Sequence, residues 1–229
     1  MKTTARRKPI RKKRLSPSER ARVDELFLRF STLSDNPKTE LNFSNPFTLV
    51  VAVALSAQAT DVGVNKATAR LFPVADNPAD MAALGVDGLI PYINSIGLFR
   101  NKAKNVIALS NIILEKHGGE APLNRADLEA LPGVGRKTAS VVLNELDIEP
   151  AIAVDTHVFR VAHRLKLSDG KTPDKVEQDL MAIVPQPYLT RAHHWLILHG
   201  RYVCVARKPK CLECRVNDLC PSRELFVGG

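Results

Sequence analysis

Apolar residues recur along this chain at the spacing of α-helices, in segments that open with helix-capping residues. The sequence SPSE at residues 16–19 has the pattern of a capping box, and apolar residues follow it at intervals of three and four. Asn45-Pro46 opens a segment that is apolar from Phe47 to Ala57, which predicts a buried helix because the run is too short to span a bilayer. The same reasoning predicts further helices after Asn77-Pro78, at 101–116, 124–131, 157–165, 175–184 and 189–203, and one that carries Lys137.

β-Structure is expected to be minor, because no segment alternates apolar and polar residues between hairpin turns. The predicted fold class is therefore all-α, with a domain boundary near Glu149-Pro150. Hydrophobic residues make up 45% of the 229 residues, as in ordinary soluble globular proteins. No secretory signal is visible, so we expect a cytoplasmic protein associated with the nucleoid, or a nuclear one in a nucleated cell.

Positive charge is concentrated at the start of the chain. The net charge is +9, but residues 1–14 carry eight Lys or Arg and no acid, which leaves 25 basic against 24 acidic residues elsewhere. Such a tail is expected to be disordered and to hold phosphates without reading sequence. It could equally serve solubility or localisation, so a specific nucleic-acid site must lie in the folded part.

The stretch LPGVG at residues 131–135 joins two predicted helices by a tight turn. Glycines at 133 and 135 permit backbone angles closed to other residues and let another backbone approach. The amides of the turn and of the next helical turn lack internal partners, so they form an anion site, for which phosphate is the natural occupant. The alternative is a plain corner between helices that uses glycine for geometry alone.

Lys137 falls in the first turn of the helix after this corner, where the helix dipole is unfavourable for a cation. A lysine held there can be a surface residue, or an amine used as a nucleophile. Asp155, in the sequence AVDTH, stands at the start of a later predicted helix. It is either an N-cap or a carboxylate that stabilises positive charge near the lysine.

All four cysteines lie between residues 204 and 220, spaced C-x6-C-x2-C-x5-C. Four thiols so close together in an intracellular chain indicate metal ligands rather than disulfides. The spacing alone leaves structural zinc and an iron–sulfur cluster equally open. Arg207 and Lys210 would then lie on a rigid basic loop suited to phosphate contacts.

Taken together, LPGVGRKTA, AVDTH, HHWLILHGRYVC and the cysteine loop resemble the endonuclease III family of DNA glycosylases. The segments LSAQATDVGVNKAT and SIGLFRNKA also match, and the likeness runs in order from about residue 18 to 220. The resemblance implies a six-helix barrel at about 39–149 with a helix-hairpin-helix motif. A second lobe, at about 15–38 and 150–229, would carry a [4Fe-4S] cluster.

The resemblance also implies a role for each matching residue. Lys137 would attack C1′ of the damaged nucleotide with Asp155 as its carboxylate partner. Gln58 would fill the gap in the duplex, and Leu98 would wedge into the opposite strand. The turn residues Leu131, Gly133 and Gly135 would hold backbone phosphate. The cluster ligands would be Cys204, Cys211, Cys214 and Cys220.

The implied enzyme is a monomer that flips an oxidised pyrimidine out of double-stranded DNA, removes it, and cleaves the abasic site by β-elimination. Two alternatives stand beside it: a monofunctional adenine glycosylase, and a non-catalytic DNA-binding module stabilised by metal. Lys137 argues against the first, since adenine glycosylases of this superfamily usually lack a lysine there. Ser140 departs from the family, which often has asparagine at that position.

Overall fold

The computed structural model describes residues 15–227, so the basic tail 1–14 lies outside the described residues. Residues 15–227 form helices joined by turns, without a β-strand, and the predicted all-α fold class is confirmed. No helix in this part of the chain has the length and apolar character needed to cross a membrane. The helices are α1 (Pro17–Leu33), α2 (Pro46–Ser56), α3 (Asp61–Leu71), α4 (Pro78–Ile93), α5 (Phe99–His117), α6 (Arg125–Glu129), α7 (Arg136–Glu145), α8 (Thr156–Arg164), α9 (Pro173–Ile183), α10 (Leu189–Tyr202) and α11 (Glu224–Val227), with 3₁₀ turns at Gln186–Tyr188 and Asn217–Leu219.

Side-chain caps fix where several of these helices begin. Ser16 and Glu19 form the predicted capping box: the Ser16 hydroxyl accepts from the Glu19 amide, and the Glu19 carboxylate accepts from the Ser16 amide at 2.8 Å. The Asn45 side chain likewise accepts from the Thr48 amide at 2.9 Å. These bonds satisfy first-turn amides that the helix itself leaves unpaired.

Lys38–Ala151 form one compact unit, which contains α2 to α7. Its core is built around α2, where the four residues Leu49–Ala52 are completely buried. Helices α3, α5 and α7 all contact α2. A helix covered on every side has no polar face, which explains the uninterrupted apolar run in its sequence.

The residues up to Pro37 and those from Ile152 onward form the other compact unit. Helix α1 is fastened to the later segments of this unit, because the Arg20 guanidinium donates to the carbonyl of Ile183 at 2.7 Å. The chain therefore leaves this unit near Pro37 and returns to it at Ile152, close to the boundary expected at Glu149-Pro150. The buried face of α1 consists of Val23, Leu26, Phe27 and Phe30.

Helix α3 was not predicted from the apolar pattern. Its buried positions follow the helical spacing, but two of the four, Ala67 and Thr68, are only weakly apolar. Its start is also unusual, since Gly63 donates its amide to the Thr60 cap. A glycine in the first turn lowers helix propensity, so packing against α2 and α4 must stabilise this helix.

Helices α8 and α10 pack so closely that the contact requires a glycine. A Cβ added at Gly200 would lie 2.9 Å from Cβ of His157 and 3.2 Å from its carbonyl oxygen. These atoms belong to or adjoin the backbone of α8, so a side-chain rotation cannot relieve the clash. Close approach of the two helices therefore depends on position 200.

We expect Gly200→Ala to lower the free energy of unfolding by about 1–3 kcal/mol, because the overpacked helices must separate. Gly88→Ala is the matched control: it also lies within a helix, but its Cβ would make only ordinary contacts with Leu84, from 3.5 Å. The control is expected to be neutral or to stabilise by up to about 1 kcal/mol. Urea unfolding of both variants checks this, and a Gly200→Ala protein as stable as wild type would contradict it.

Candidate functional site

The turn at Leu131–Gly135 is anchored in the core at one end and open to solvent at the other. Leu131 and Val134 are buried, and the Val134 amide donates to the Leu131 carbonyl at 3.1 Å. Gly133 has φ +78°, a left-handed conformation that side chains rarely adopt. Gly135 is the N-cap of α7 and offers no side-chain acceptor. The first amides of α7 are therefore open to a ligand such as phosphate.

Gly133 also has no room for a side chain. Its Cβ would lie 3.0 Å from both Cβ and Nδ2 of Asn105 on α5. The turn backbone thus lies directly against α5. Gly133 is therefore required by the geometry of the turn. The uncapped start of α7 is suited to binding an anion.

Lys137 is the second residue of α7 and its side chain is exposed. Exposure leaves the amine accessible to a substrate, as a nucleophile requires. Two residues on, the chain enters the core at Ala139 and Ser140. The helix start is therefore held rigidly while the lysine projects from it.

Ser140, where the family often has asparagine, is buried, and its hydroxyl accepts a hydrogen bond from the Arg125 guanidinium at 2.9 Å. Arg125 also pairs with Glu149 at 3.1 Å and with Glu129 at 3.4 Å. The hydroxyl thus joins α6 to α7 through a shared arginine. The serine therefore has a structural role at the contact between these two helices.

Gln58 and Leu98 line one cavity of about 150 Å³, together with Asn105 and Gly133. Both have left-handed backbones, with φ +56° at Gln58 and +60° at Leu98. Such conformations are uncommon for residues other than glycine and concentrate at functional sites. Both side chains are exposed, 59% in the case of Leu98. The structure thus brings together three of the residues predicted to contact DNA.

Lys102 lines the same cavity and was missed by sequence analysis. It is only 7% exposed, and no acceptor among the described residues lies within hydrogen-bond distance of its Nζ. Burial lowers the pKa of its ammonium group. In the sequence it is one more lysine near the start of a long helix, so nothing marks it as buried.

Asp155 is the N-cap of α8, as the simpler of its two interpretations predicts. Its Oδ1 accepts from the amide of Val158 at 2.8 Å. A carboxylate can accept with both oxygens, so this bond leaves Oδ2 available for another role. Asp155 and Lys137 belong to different compact units, and their pairing stays a prediction.

The four cysteines line one pocket, together with His199 and Lys210. Burial raises the pKa of the Cys214 and Cys220 thiols, and the neighbouring cysteines raise both further. Burial also lowers the pKa of His199 to about 4. Thiolates so close together would repel one another, and a cationic metal centre would stabilise them.

The cysteine pocket suits an iron–sulfur cluster. All four cysteines line the same pocket, and an iron–sulfur cluster takes its thiolates around its own perimeter. The residues present therefore fit the cluster that the resemblance implies.

Two arginines of α8 hold the first part of the cysteine loop, and neither was found from the sequence. Arg164 donates to the carbonyl of Val205 at 2.8 Å, and its Nη1 lies 3.4 Å from Sγ of Cys204. Arg160 donates to the Cys204 carbonyl at 3.0 Å. Between Cys204 and Cys211, the side chains of Arg207 and Lys210 are exposed, as a basic DNA-contacting loop requires.

Comparison with known proteins places this fold and these sites in a class. The profile of HhH-GPD superfamily base excision DNA repair proteins matches residues 51–186, more than half of the chain. The profile of the iron–sulfur binding domain of endonuclease III matches residues 204–220, which hold all four cysteines. Within this class of base-excision repair proteins, the chain belongs to the endonuclease III family.

Similar sequences support the same assignment. Endonuclease III of Escherichia coli (strain K12) is 56% identical over 200 residues, which cover 87% of this chain and 95% of the relative. Endonuclease III of Haemophilus influenzae (strain ATCC 51907 / DSM 11121 / KW20 / Rd) is 54% identical over 200 residues, with the same coverage. The likeness therefore extends over nearly the whole length of both relatives.

Solved structures agree with the sequences. A non-covalent endonuclease III–DNA complex matches with a TM-score of 0.85 and 40% identity, covering 94% of this chain and 100% of that chain. A trapped endonuclease III–DNA covalent intermediate, an estranged-adenine complex, matches with a TM-score of 0.83 and 40% identity, covering 93% and 99%. A thermostable thymine-DNA glycosylase, at 21% identity and a TM-score of 0.80, shares the fold.

These likenesses confirm the predicted function class. The protein is a base-excision-repair DNA glycosylase with lyase activity at abasic sites, its partner is DNA, and its cofactor is a [4Fe-4S] cluster. The open choice between zinc and iron–sulfur is thereby decided for iron–sulfur. Neither the monofunctional adenine glycosylase nor the non-catalytic binding module is favoured.

We expect Cys214→Ser to purify with markedly less iron and acid-labile sulfide than wild type, because a serine oxygen is a poor ligand for a thiolate-selective cluster. Leu212→Ala, in the same loop and 76% exposed, is the control and should retain the wild-type iron content. Iron and sulfide assays on the purified proteins provide the measurement. Wild-type iron in Cys214→Ser would exclude Cys214 as a ligand.

Proposed function

We propose that this protein removes oxidised pyrimidines from duplex DNA and cleaves the strand at the resulting abasic site. The observation that carries the proposal is the exposed Lys137 amine on the first turn of α7, directly after the open-amide turn at Leu131–Gly135. An enzyme of this kind needs a nucleophile beside a site that binds the DNA backbone. Both are supplied here by seven consecutive residues.

Lys137 acts as the nucleophile in this proposal. Its neutral amine attacks C1′ of the flipped nucleotide, the bond between C1′ and the base breaks, and the base leaves. The sugar ring opens to an imine with Nζ of Lys137. Removal of a proton from C2′ then expels the 3′ phosphate by β-elimination, and water releases the enzyme from the imine.

Asp155 acts as the carboxylate partner. Its Oδ1 is fixed by the Val158 amide, which orients the side chain, while Oδ2 is available to stabilise positive charge on the sugar or to accept the lysine proton. A carboxylate held as an N-cap loses little entropy when it acts, since its rotamer is already set. The cap and the catalytic role are therefore compatible.

The DNA is held by residues of the same cavity and turn. Open amides around Gly133 and Gly135, with Leu131 as the buried anchor of the turn, bind backbone phosphate. Gln58 fills the space left by the extruded nucleotide, and Leu98 wedges into the opposite strand. Their exposure and their shared cavity support these two roles.

The cluster is held by Cys204, Cys211, Cys214 and Cys220, and the loop it organises presents Arg207 and Lys210 to phosphate. When bound, the cluster supplies structural rigidity to this loop. We assign the barrel role to about 39–149 and the cluster lobe to about 15–38 and 150–229. The compact units divide the chain after Pro37 and Ala151, which supports that assignment.

The enzyme acts as a monomer in this proposal, because one chain carries the nucleophile, the carboxylate and the DNA-binding turn. It acts where the DNA is, in the nucleoid of a bacterium or in the nucleus of a nucleated cell. The near-neutral balance of the chain after residue 14 implies that local sites rather than overall charge position the DNA.

We expect Lys137→Ala to abolish the covalent complex that borohydride traps between the protein and abasic-site DNA. Without the amine no imine can form, so strand nicking should fall by at least about 1,000-fold. Binding of duplex DNA with a tetrahydrofuran abasic analogue, which cannot form an imine, should persist. Trapping is read by denaturing electrophoresis.

Lys66→Ala is the matched control, since Lys66 is an exposed lysine of α3 outside the proposed site, and it should trap and nick like wild type. If cluster-loaded wild type forms no adduct, the imine mechanism is wrong. If Lys137→Ala still forms the adduct, another amine is the nucleophile.

A further inference from the structure

Lys102 poses an energetic problem that the proposed function does not solve. Its Nζ is buried without a hydrogen-bond acceptor from residues 15–227, and an isolated buried ammonium is strongly destabilising. A methionine would fill the same space beside Val106 and Ala54 without that cost. A lysine at this position is therefore explained only if its charge or its N–H groups bind an acceptor from outside the chain.

The cavity around Lys102 is built to receive an acceptor. Helix α5 has no side-chain cap at Leu98, so its first-turn amides are unsatisfied at the positive end of the helix. The side chains of Asn101 and Asn105 add amide groups to the wall. Ala54 and Ala57, at the C-terminal end of α2, line the cavity as well.

We propose that Lys102, which lines this cavity, is a DNA-binding residue that donates to a hydrogen-bond acceptor of a nucleotide at the lesion. The proposal rests on the proposed function, because Gln58 and Leu98, the residues assigned to the disrupted base pair, line the same cavity. The acceptor is an edge atom of the unpaired base opposite the lesion, or a phosphodiester oxygen. Both sources offer the oxygen or nitrogen that a buried ammonium lacks.

Two further observations support this assignment. Gln58 and Leu98 hold left-handed backbones on the rim, and strain of this kind is retained where it positions a functional group. Burial lowers the pKa of Lys102, and a hydrogen-bond acceptor bound in the cavity would offset this effect by stabilising the ammonium. The cavity, about 150 Å³, is large enough for the edge of a base or a phosphate group.

The test is Lys102→Met, assayed for binding to duplex DNA that contains a tetrahydrofuran abasic analogue. The ammonium makes a charge-assisted hydrogen bond, so its loss should weaken binding by about 10- to 100-fold. The melting temperature should stay equal or rise by about 2–4 °C, since an unpaired buried charge is removed. If Lys102→Met binds more weakly than wild type but is at least as stable, the loss of binding reflects a lost ligand contact rather than a folding defect.

Lys104→Met is the matched control: it makes the same change two residues along α5 at an exposed position, and it should bind within about twofold of wild type. Lys102→Gln is the second variant, and it can be read even if Lys102→Met folds poorly. Its neutral amide keeps a donor, so its binding should fall between those of wild type and Lys102→Met.

The two sources of the acceptor are distinguished by the opposing nucleotide. If the acceptor is a base, the defect of Lys102→Met should disappear when the opposing nucleotide is also tetrahydrofuran. If it is a phosphate, the defect should persist with every opposing nucleotide. The slope of log affinity against log salt concentration should then become shallower by about one.

The proposal is overturned if Lys102→Met and Lys102→Gln bind like wild type, or if Lys104→Met is weakened as much as Lys102→Met. Borohydride trapping of wild type with natural abasic DNA separates this result from failure of the proposed function. Normal trapping together with unchanged binding by the Lys102 variants would exclude the DNA-binding role of Lys102 and leave the proposed function intact. Absence of trapping in wild type would remove the imine mechanism, whatever the binding of the Lys102 variants.

Discussion

The close contact between Gly133 and Asn105 is the constraint on which this DNA-binding region depends. A Cβ at position 133 would lie 3.0 Å from Asn105, so the turn can reach α5 only as glycine. That approach puts Gly133 in the lining of the same cavity as Leu98. In the proposed function, a turn further from α5 would separate the phosphate-binding amides from Gln58 and Leu98. The glycine therefore fixes the distance between segments that lie far apart in sequence.

The helices differ in whether a side chain caps their first turn, and an uncapped start is less stable. Among the described residues, α1 to α4, α6, α8 and α9 begin with a capping side chain, whereas α5, α7 and α10 do not. A missing cap costs about 1 kcal/mol. Two of the three uncapped starts, those of α5 and α7, adjoin the cavity or the turn assigned to DNA. In the proposed function, the amides at these two helix starts are left for a ligand.

The sequence predicted the all-α class, most helices and the four-cysteine site, because each leaves a short-range signal such as a cap, an apolar period or a thiol spacing. It did not reveal α3, whose stability comes from packing against α2 and α4. It also missed Arg164, whose contact with Cys204 joins residues 40 positions apart. The role of Lys102 could not be predicted either, because its burial depends on residues that are distant in the sequence. Sequence patterns therefore predicted local conformations and did not predict long-range contacts.

Asp155 shows how one residue can satisfy both fold and chemistry. As the N-cap of α8 it contributes to stability through one oxygen, and that bond fixes the direction of the other. Lys102 represents the opposite arrangement, because its buried, unpaired ammonium opposes folding. Selection for stability alone would retain the aspartate and replace the lysine. The proposed use in the bound state accounts for such a lysine, because an acceptor there converts a destabilising charge into binding energy.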